Sequence, residues 1–138
     1  MSDALVDSNV IIDILDADPL WAAWSRECVR EARREGRVVI NPLIYAEVAG
    51  AYARQGEADR ALSSGVYRRE NLPWEAAFAA GRVFRSYRRA GGSKRSPLPD
   101  FYIGAHAEVK GYALLTRDPA RYRSYFPTLR IIAPDTHP

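Results

Sequence analysis

Cysteine and histidine are scarce in this sequence of 138 residues. Cys28 is the only cysteine, and His106 and His137 are the only histidines. One cysteine cannot form a disulfide within the chain, and these residues together are too few for a dedicated zinc site. We therefore exclude a disulfide scaffold and a zinc-based protein, and we expect a reducing, cytoplasmic setting.

The sequence also lacks a long apolar run, since no stretch approaches the roughly 18 residues that a membrane span needs. Its first 15 residues contain three acids and no basic residue, which is unlike a secretory signal. We expect a protein without a membrane segment. Hydrophobic residues make up 47% of the sequence, enough for one packed core. We predict a single domain over residues 1–138, in which about 134–138 form a loose tail.

Neither sign of charge dominates. Lys and Arg number 20 and Asp and Glu number 17, which gives a net charge of +3. An excess this small suits a polyanionic partner, and it suits an acidic small molecule equally well.

Short apolar runs alternate with helical patterns along the chain, which is typical of an α/β fold. We predict strands at residues 4–6, 38–40, 113–115 and 129–132, with a weak fifth strand near 66–69. Helices are predicted at residues 8–15, 19–35, 42–53, 57–64, 74–90 and 101–110. Right-handed crossovers would build from them a parallel sheet of four to five strands with helices on both faces.

Three aspartates are predicted to lie at one edge of this sheet. Asp7 follows the first strand, and the strand at 113–115 leads into Thr116 with Asp118 two residues later. Asp100 precedes the helix that runs into that strand, so it lies level with the same edge. Open parallel sheets bind ligands at the carboxyl ends of their strands. The three carboxylates are therefore candidates for one common site.

Glu47 is a fourth candidate because of its place on a helix. It shares a predicted core-facing stripe with Leu43, Ile44, Gly50 and Ala51. Burying an ionised carboxyl without a partner costs several kcal/mol. We expect Glu47 to find a cation, a hydrogen-bond network or a way out to solvent.

Each acid also has an ordinary interpretation. Asp7, Asp100 and Asp118 could be helix N-caps, and Glu47 could pair with a neighbouring arginine. Four carboxylates at one edge repel one another, however, unless a cation lies between them. Mg²⁺ and Mn²⁺ prefer oxygen ligands of this kind. Together the acids favour a divalent metal site.

The four acids lie in the segments LVDSNVIIDIL, NPLIYAEV and PDFYIGAHAEVKGYALLTRD. In order and approximate spacing these segments resemble the PIN-domain ribonucleases of the VapC-like toxin group. The resemblance covers nearly the whole chain. It implies a three-layer α/β/α fold, Mg²⁺ or Mn²⁺ dependence, endonucleolytic cleavage of RNA, homodimerisation and a cognate antitoxin protein. Two positions depart from the family: Ser8 stands where threonine is frequent, and Asn41 where serine or threonine is common.

The resemblance also implies roles for individual residues. The three aspartates would hold the metal directly or through water, and Glu47 would join them or accept hydrogen bonds from metal-bound waters. A metal-activated water would then hydrolyse the RNA phosphodiester. Ser8, Asn9 and Thr116 would orient carboxylates, waters or a phosphate oxygen, unless they serve only as caps and turns.

The predicted helix at 74–90 carries a basic stripe. Its arginines at spacings of three and four are Arg82, Arg85 and Arg89, and the following loop adds Lys94 and Arg95. Such a stripe is either a solvated face or a contact for RNA phosphates. Much of the apolar side of this helix is assigned to Trp74, Phe78, Gly81 and Phe84.

Several other residues have two interpretations. Arg117 either reaches a phosphate or pairs with an acid, and we favour pairing. We interpret His106 as a structural or surface residue and not as a general base. Trp21, Trp24 and Cys28 form a stripe that is either buried or faces a partner, and exposed aromatics there would suggest contact with the antitoxin.

Three rival functions are considered. A catalytically inactive binding module of the same fold would be favoured by loss of an acid, but all four acids are present. A metal-dependent nuclease with another nucleic-acid substrate would use the same chemistry. A phospho-acceptor receiver domain is disfavoured, because the strand at 38–40 ends on Asn41 and no lysine follows the last strand.

Overall fold

A computed structural model describes residues 2–92 and 98–138. Within these ranges the chain forms five strands and seven helices. The strands are β1 (Ala4–Val6), β2 (Val38–Ile40), β3 (Arg68–Arg69), β4 (Ala113–Leu115) and β5 (Ile131–Ile132). They form one parallel sheet in the order β3-β2-β1-β4-β5. With helices covering the sheet, the three-layer α/β/α fold class that was predicted is confirmed.

The helices differ from the prediction mainly at their ends. They are α1 (Ser8–Leu15), α2 (Ala22–Glu35), α3 (Pro42–Ala49), α4 (Gln55–Ala61), α5 (Trp74–Arg89), α6 (Leu98–Lys110) and α7 (Ala120–Tyr125). The predicted start of α2 is wrong because the Asp18 side chain accepts hydrogen bonds from the backbone N–H groups of Leu20 and Trp21, both at 2.9 Å. These bonds hold a turn before the helix. The short helix α7, which follows Pro119, is missing from the prediction.

The three inner strands are buried. Leu5 of β1 pairs with Val39 of β2 on one side and with Leu114 of β4 on the other, and all three residues are fully buried. The weak fifth strand is confirmed at one edge of the sheet, where β3 consists of two exposed arginines. Charged residues on an edge strand oppose further strand pairing. The candidate aspartates Asp7 and Asp118 instead follow the inner strands β1 and β4.

Two glycines in helices offer a matched stability test. A Cβ atom added at Gly104 of α6 would lie 2.5 Å from a ring carbon of Phe126, whereas one added at Gly81 of α5 would meet nothing within 4 Å. We expect Gly104→Ala to lower the free energy of unfolding by about 1–3 kcal/mol through overpacking. Gly81→Ala should raise it by up to about 1 kcal/mol, because alanine favours the helix.

Urea unfolding followed by circular dichroism would measure both changes. Equal midpoints for Gly104→Ala and the parent protein would contradict the tight packing of α6 on the segment after α7.

The last residues of the chain make several hydrogen bonds, although the sequence suggests a loose tail. Trp24 Nε1 donates to the carbonyl of His137 at 2.6 Å, and the Thr136 hydroxyl donates to the carbonyl of Ala133 at 3.0 Å. These contacts hold the tail against α2 and beyond β5. In the described parts of the chain, no helix has both the length and the apolar composition to cross a bilayer.

Candidate functional site

Asp7 lies where the two central strands end. Its backbone N–H donates to the carbonyl of Leu115 at 2.9 Å, which joins the end of β1 to the end of β4. Its Oδ1 accepts a hydrogen bond from the backbone N–H of Ser8 at 2.8 Å, so Asp7 is the N-cap of α1. The capping interpretation is therefore correct for Asp7. The cap uses Oδ1 and leaves Oδ2 available for other partners.

The second oxygen of Asp7 is held by two hydroxyl groups. Thr116 Oγ1 donates to Oδ2 at 2.9 Å, and the Tyr122 hydroxyl donates to it at 3.0 Å. Burial raises the pKa of Asp7 to about 6; these two hydrogen bonds oppose the rise, and the negative charges of Asp100 and Glu47 add to it. Asp100 and Glu47 are thus close enough for their charges to act on Asp7.

Asn9 links Asp7 to Asp118. Its Nδ2 lies 3.5 Å from Oδ2 of Asp7, 3.3 Å from Oγ1 of Thr116 and 3.5 Å from Oδ2 of Asp118. Its Oδ1 accepts a hydrogen bond from the backbone N–H of Arg117 at 3.1 Å, while Thr116 Oγ1 accepts one from the N–H of Asp118 at 3.1 Å. The turn after β4 is thus fixed to α1, and the exposed carboxylate of Asp118 stays beside Asp7.

Glu47 joins this edge from α3, but not from the core. The predicted core-facing stripe is wrong, because the buried residues of α3 are Ile44 and Val48 and Glu47 is exposed. Ser8 Oγ donates to Glu47 Oε1 at 3.0 Å. Although the side chain is open to solvent, neighbouring atoms shield its carboxylate in part. This shielding raises the pKa of Glu47, the Ser8 hydrogen bond opposes the rise, and the charge of Asp100 adds to it.

Asp100 lies in the first turn of α6 and is held by α7. Arg121 Nη1 is 2.7 Å from Asp100 Oδ2, and both side chains are partly exposed. An ion pair this open to solvent contributes little stability, so a stronger cation could compete for the carboxylate. Sequence reasoning missed Arg121 and Tyr122 because it missed α7. The available signal was their position three and four residues after Asp118.

A buried ion pair supports the turn that carries Asp118. Arg117 Nε lies 2.8 Å from Asp13 Oδ2 and its Nη2 lies 3.1 Å from Oδ1, which confirms the predicted pairing of Arg117 with an acid. Ser25 Oγ also donates to Asp13 Oδ2 at 3.1 Å, and the guanidinium lies 5.5 Å from the centre of the Trp21 ring. Asp13 was not predicted as a partner, since it lies within the apolar run of α1.

His106 is structural. It is fully buried, and its Nδ1 accepts a hydrogen bond of 3.0 Å from Asn41 Nδ2. Asn41 Oδ1 in turn accepts from the backbone N–H of Ile44 at 3.0 Å and caps α3. Burial lowers the pKa of His106, although the nearby Glu70 carboxylate opposes this shift. The histidine therefore ties β2 to α6, away from the four acids.

The tryptophan stripe of α2 is half-buried. Trp24 and Cys28 line a cavity of about 560 Å³ together with His137 and Pro138. Burial raises the pKa of the Cys28 thiol to about 11, so little thiolate forms near neutral pH. Trp21 and Trp24 contact each other, and each also contacts another part of the chain.

The predicted basic stripe lies partly within the described residues. Arg82, Arg85 and Arg89 are exposed on α5, whereas Lys94 and Arg95 lie outside the described residues. The predicted apolar side of α5 is wrong in large part. Its buried residues are the small side chains Ala76 and Ala80, while Trp74, Phe78 and Gly81 are exposed.

The four acids fit a hard divalent cation by their chemistry. Their oxygen donors come from the end of β1, α3, α6 and the turn after β4. Burial raises the pKa of Asp7, and the charges of Asp100 and Glu47 add to the rise. Within residues 2–92 and 98–138, no three carboxylate, histidine or cysteine side chains are already close enough to enclose an ion. Arg121 holds Asp100, and the exposed acids repel one another, which accounts for this open arrangement.

Comparisons with known proteins agree with this fold. A family model described as PIN domain matches residues 4–126. A chain of VapBC2 from Rickettsia felis, solved bound to a DNA fragment from its promoter, is 12% identical with a TM-score of 0.74, and the match covers 94% of this chain and 97% of that chain. DNA-bound VapBC from Salmonella typhimurium is 20% identical with a TM-score of 0.70, covering 96% and 98%. A toxin–antitoxin complex from Klebsiella pneumoniae is 21% identical with a TM-score of 0.61, covering 94% and 96%.

No curated protein sequence matches the chain. The family model nevertheless spans most of its length, including β1, β4 and all four candidate acids. The chain therefore belongs to the PIN-domain family.

Proposed function

We propose that this protein is a Mg²⁺- or Mn²⁺-dependent endoribonuclease and the toxin of a toxin–antitoxin pair. PIN domains are nucleases that generally use divalent metal ions. The identity of the ion, RNA as the substrate and the role as a toxin go beyond membership of this family. The observation that carries the proposal is the grouping of acids at the ends of β1 and β4. Asn9 bridges Asp7 to Asp118. The pKa of Asp7 is raised first by burial and then by the charges of Asp100 and Glu47.

The cation would be held by the carboxylates of Asp7, Glu47, Asp100 and Asp118. When bound, a divalent cation acidifies water and offsets the charge that develops on the phosphoryl oxygens. Hydrogen bonds orient Asp7 and Glu47, whereas Asp100 would have to leave Arg121 to reach the ion. Burial and the Asp7 charge raise the pKa of Tyr122, so its hydroxyl stays protonated and continues to donate to Asp7.

Glu47 has a different setting from the aspartates. It is exposed, it is oriented by Ser8, and its pKa is raised. A carboxylate with a raised pKa accepts a proton more readily near neutral pH. Glu47 would therefore accept the proton that is released during hydrolysis, in addition to any contact with the cation.

The exposed arginines of α5 favour a nucleic acid as the substrate. Arg82, Arg85 and Arg89 are available to contact phosphates, which gives affinity without sequence information. RNA and DNA present the same phosphodiester to the site. The choice of RNA rests on the resemblance of the sequence segments to VapC-like ribonucleases.

The proposed partners follow from the similar structures. Those structures are VapBC or toxin–antitoxin complexes, and we extend to this chain a cognate antitoxin protein. The proposed homodimeric state rests on the resemblance of the sequence segments to VapC-like toxins, and the proposed cytoplasmic location on the scarcity of cysteine. An inactive binding module is the rival function. Loss of a candidate acid would favour that rival, but all four acids are present in the sequence.

A cleavage assay tests the proposal. The purified protein, free of any antitoxin, is incubated with total cellular RNA and separately with single-stranded DNA, in Mg²⁺, in Mn²⁺ or in chelator. We expect discrete RNA fragments that disappear with chelator and return when the metal is added back. Failure to cleave RNA under any metal, by protein shown to be folded, would favour the binding module. Equal cleavage of DNA would indicate a nuclease of broader specificity.

A further inference from the structure

Two neighbouring side chains of α7 contact two different candidate metal ligands. Arg121 Nη1 lies 2.7 Å from Asp100 Oδ2, and the Tyr122 hydroxyl donates to Asp7 Oδ2 at 3.0 Å. Asp100 lies in the first turn of α6, whereas Asp7 follows β1. A helix of six residues therefore joins two of the four acids.

The two contacts differ in how easily they break. Tyr122 is 2% exposed, so its hydrogen bond to Asp7 is a fixed part of the fold. The side chain of Arg121 is instead 46% exposed, and that of Asp100 is 35% exposed. Exposed ion pairs add little stability, because water replaces either partner readily. Arg121 is therefore able to change partner while Tyr122 stays in place.

The helix itself need not move when Arg121 does. Tyr122 anchors α7 in the core, and Arg123 makes two hydrogen bonds, of 2.5 and 2.6 Å, to the carboxylate of Asp135 in the tail. Within residues 2–92 and 98–138, the pair with Asp100 is the only ion pair of Arg121. Rotation about its side-chain bonds is thus sufficient to release the guanidinium.

The charges at the site determine when this release is favourable. Asp100 is close enough for its charge to act on Asp7 and Glu47. Without a cation these carboxylates repel one another and would also repel a phosphate, and Arg121 offsets one of them. A divalent cation among the acids would compete with Arg121 for Asp100 and repel the guanidinium. The released N–H donors match the oxygens of a phosphate.

We propose that Arg121 changes partner as the site fills. It pairs with Asp100 in the metal-free protein, and it binds a phosphate oxygen of the RNA once Asp100 is engaged by the divalent cation. This inference rests on the proposed ribonuclease function and adds a residue that contacts the substrate. Because Asp100 and the phosphate compete for one guanidinium, binding of the cation and binding of RNA are coupled through Arg121.

Binding of Mn²⁺ in the absence of RNA tests the first half of the inference. Electron paramagnetic resonance would measure free Mn²⁺ during a titration of the metal-free protein, so the readout does not depend on cleavage. We expect Arg121→Gln to bind Mn²⁺ about 3- to 10-fold more tightly, because a neutral side chain neither holds Asp100 as a cation nor repels the metal. Arg121→Lys keeps the charge and should stay within about 2-fold of the parent protein.

Binding of RNA in Ca²⁺ and in chelator tests the second half. Ca²⁺ takes oxygen ligands, and a gel would check that the labelled total cellular RNA stays intact. We expect Arg121→Gln to weaken RNA binding by roughly 5- to 20-fold in Ca²⁺, through loss of a hydrogen bond between charged groups. In chelator Asp100 holds the guanidinium, so the loss should stay below about 3-fold and reflect only the changed net charge.

Arg123→Gln is the matched control. Arg123 lies on the same helix, about 200° around its axis from Arg121. Its side chain is 42% exposed, and its partner Asp135 lies outside the four acids. The control should leave both affinities nearly unchanged, and thermal unfolding would check that each variant is folded.

Unchanged or weaker binding of Mn²⁺ by Arg121→Gln would overturn the inference. Equal losses of RNA affinity in Ca²⁺ and in chelator would also overturn it, because Arg121 would then be a fixed contact. If Arg121→Gln shifts both affinities as expected but the parent protein cleaves no RNA in Mg²⁺ or Mn²⁺, the result counts against the proposed enzyme alone. Cleavage by a protein whose affinities do not respond to Arg121→Gln would count against this inference alone.

Discussion

Asp118→Asn is expected to lower the rate of RNA cleavage by at least about 100-fold, which is typical for removing a charged group that stabilises the reaction. Asp118 is exposed, and its carboxylate is linked to that of Asp7 by the bridging amide of Asn9. Asparagine keeps the size of the side chain and removes its negative charge. The change would therefore weaken binding of the proposed cation without disturbing packing.

Initial rates in saturating Mg²⁺ would measure this effect, with thermal unfolding as the check on folding. Asp16→Asn is a matched control, since Asp16 is an exposed aspartate at the end of α1, outside the four acids. It should cleave RNA at the parent rate. Cleavage by Asp118→Asn at more than about a tenth of the parent rate would remove Asp118 from the proposed metal ligands.

Asp7→Asn should lose at least as much activity as Asp118→Asn, but it should also change how the stability of the protein depends on pH. Because the pKa of Asp7 is raised to about 6 in the folded state, its carboxylate lowers stability as pH rises from the unfolded value of 3.8 to about 6. Removing the charge removes this dependence. Asp118→Asn is therefore the clearer test of activity.

The edge position of the aspartates was predictable because parallel strands share one direction. Once β1 and β4 were recognised from their apolar runs, Asp7 and Asp118 had to fall at the same edge. The hydrogen bonds that orient them were not predictable in the same way. Tyr122 contributes from α7, a six-residue helix too short to show a convincing periodic pattern.

Two helix faces were assigned wrongly for a common reason. In α3 and α5 the pattern of apolar residues was assumed to mark the buried side. Glu47 and Trp74 are both exposed instead. α5 packs against α6, and its fully buried residues are the small Ala76 and Ala80, whereas the larger Trp74 and Phe78 face outward. Side-chain size, and not only apolar character, decides which face can approach a neighbouring helix.

Asp13→Ala is expected to give the largest loss of stability, about 3 kcal/mol, because breaking a buried ion pair strands its partner. Asp13 accepts two bonds from Arg117 and one from Ser25, and its side chain is 3% exposed. The loss stays near the lower end of the usual range, since Arg117 is 28% exposed and regains some hydration. The same change loosens the turn that carries Asp118, so cleavage should also slow.

Guanidinium chloride unfolding would measure the loss, and Glu27→Ala supplies the control because it breaks the exposed pair with Arg30. That control should change stability by no more than about 0.5 kcal/mol. Arg117→Ala completes a double-mutant cycle with Asp13→Ala. If the two changes were additive, the pair would contribute no coupling energy. A loss of stability in the double variant well below the sum of the two single losses would assign the stability of this turn to the Asp13–Arg117 contact itself.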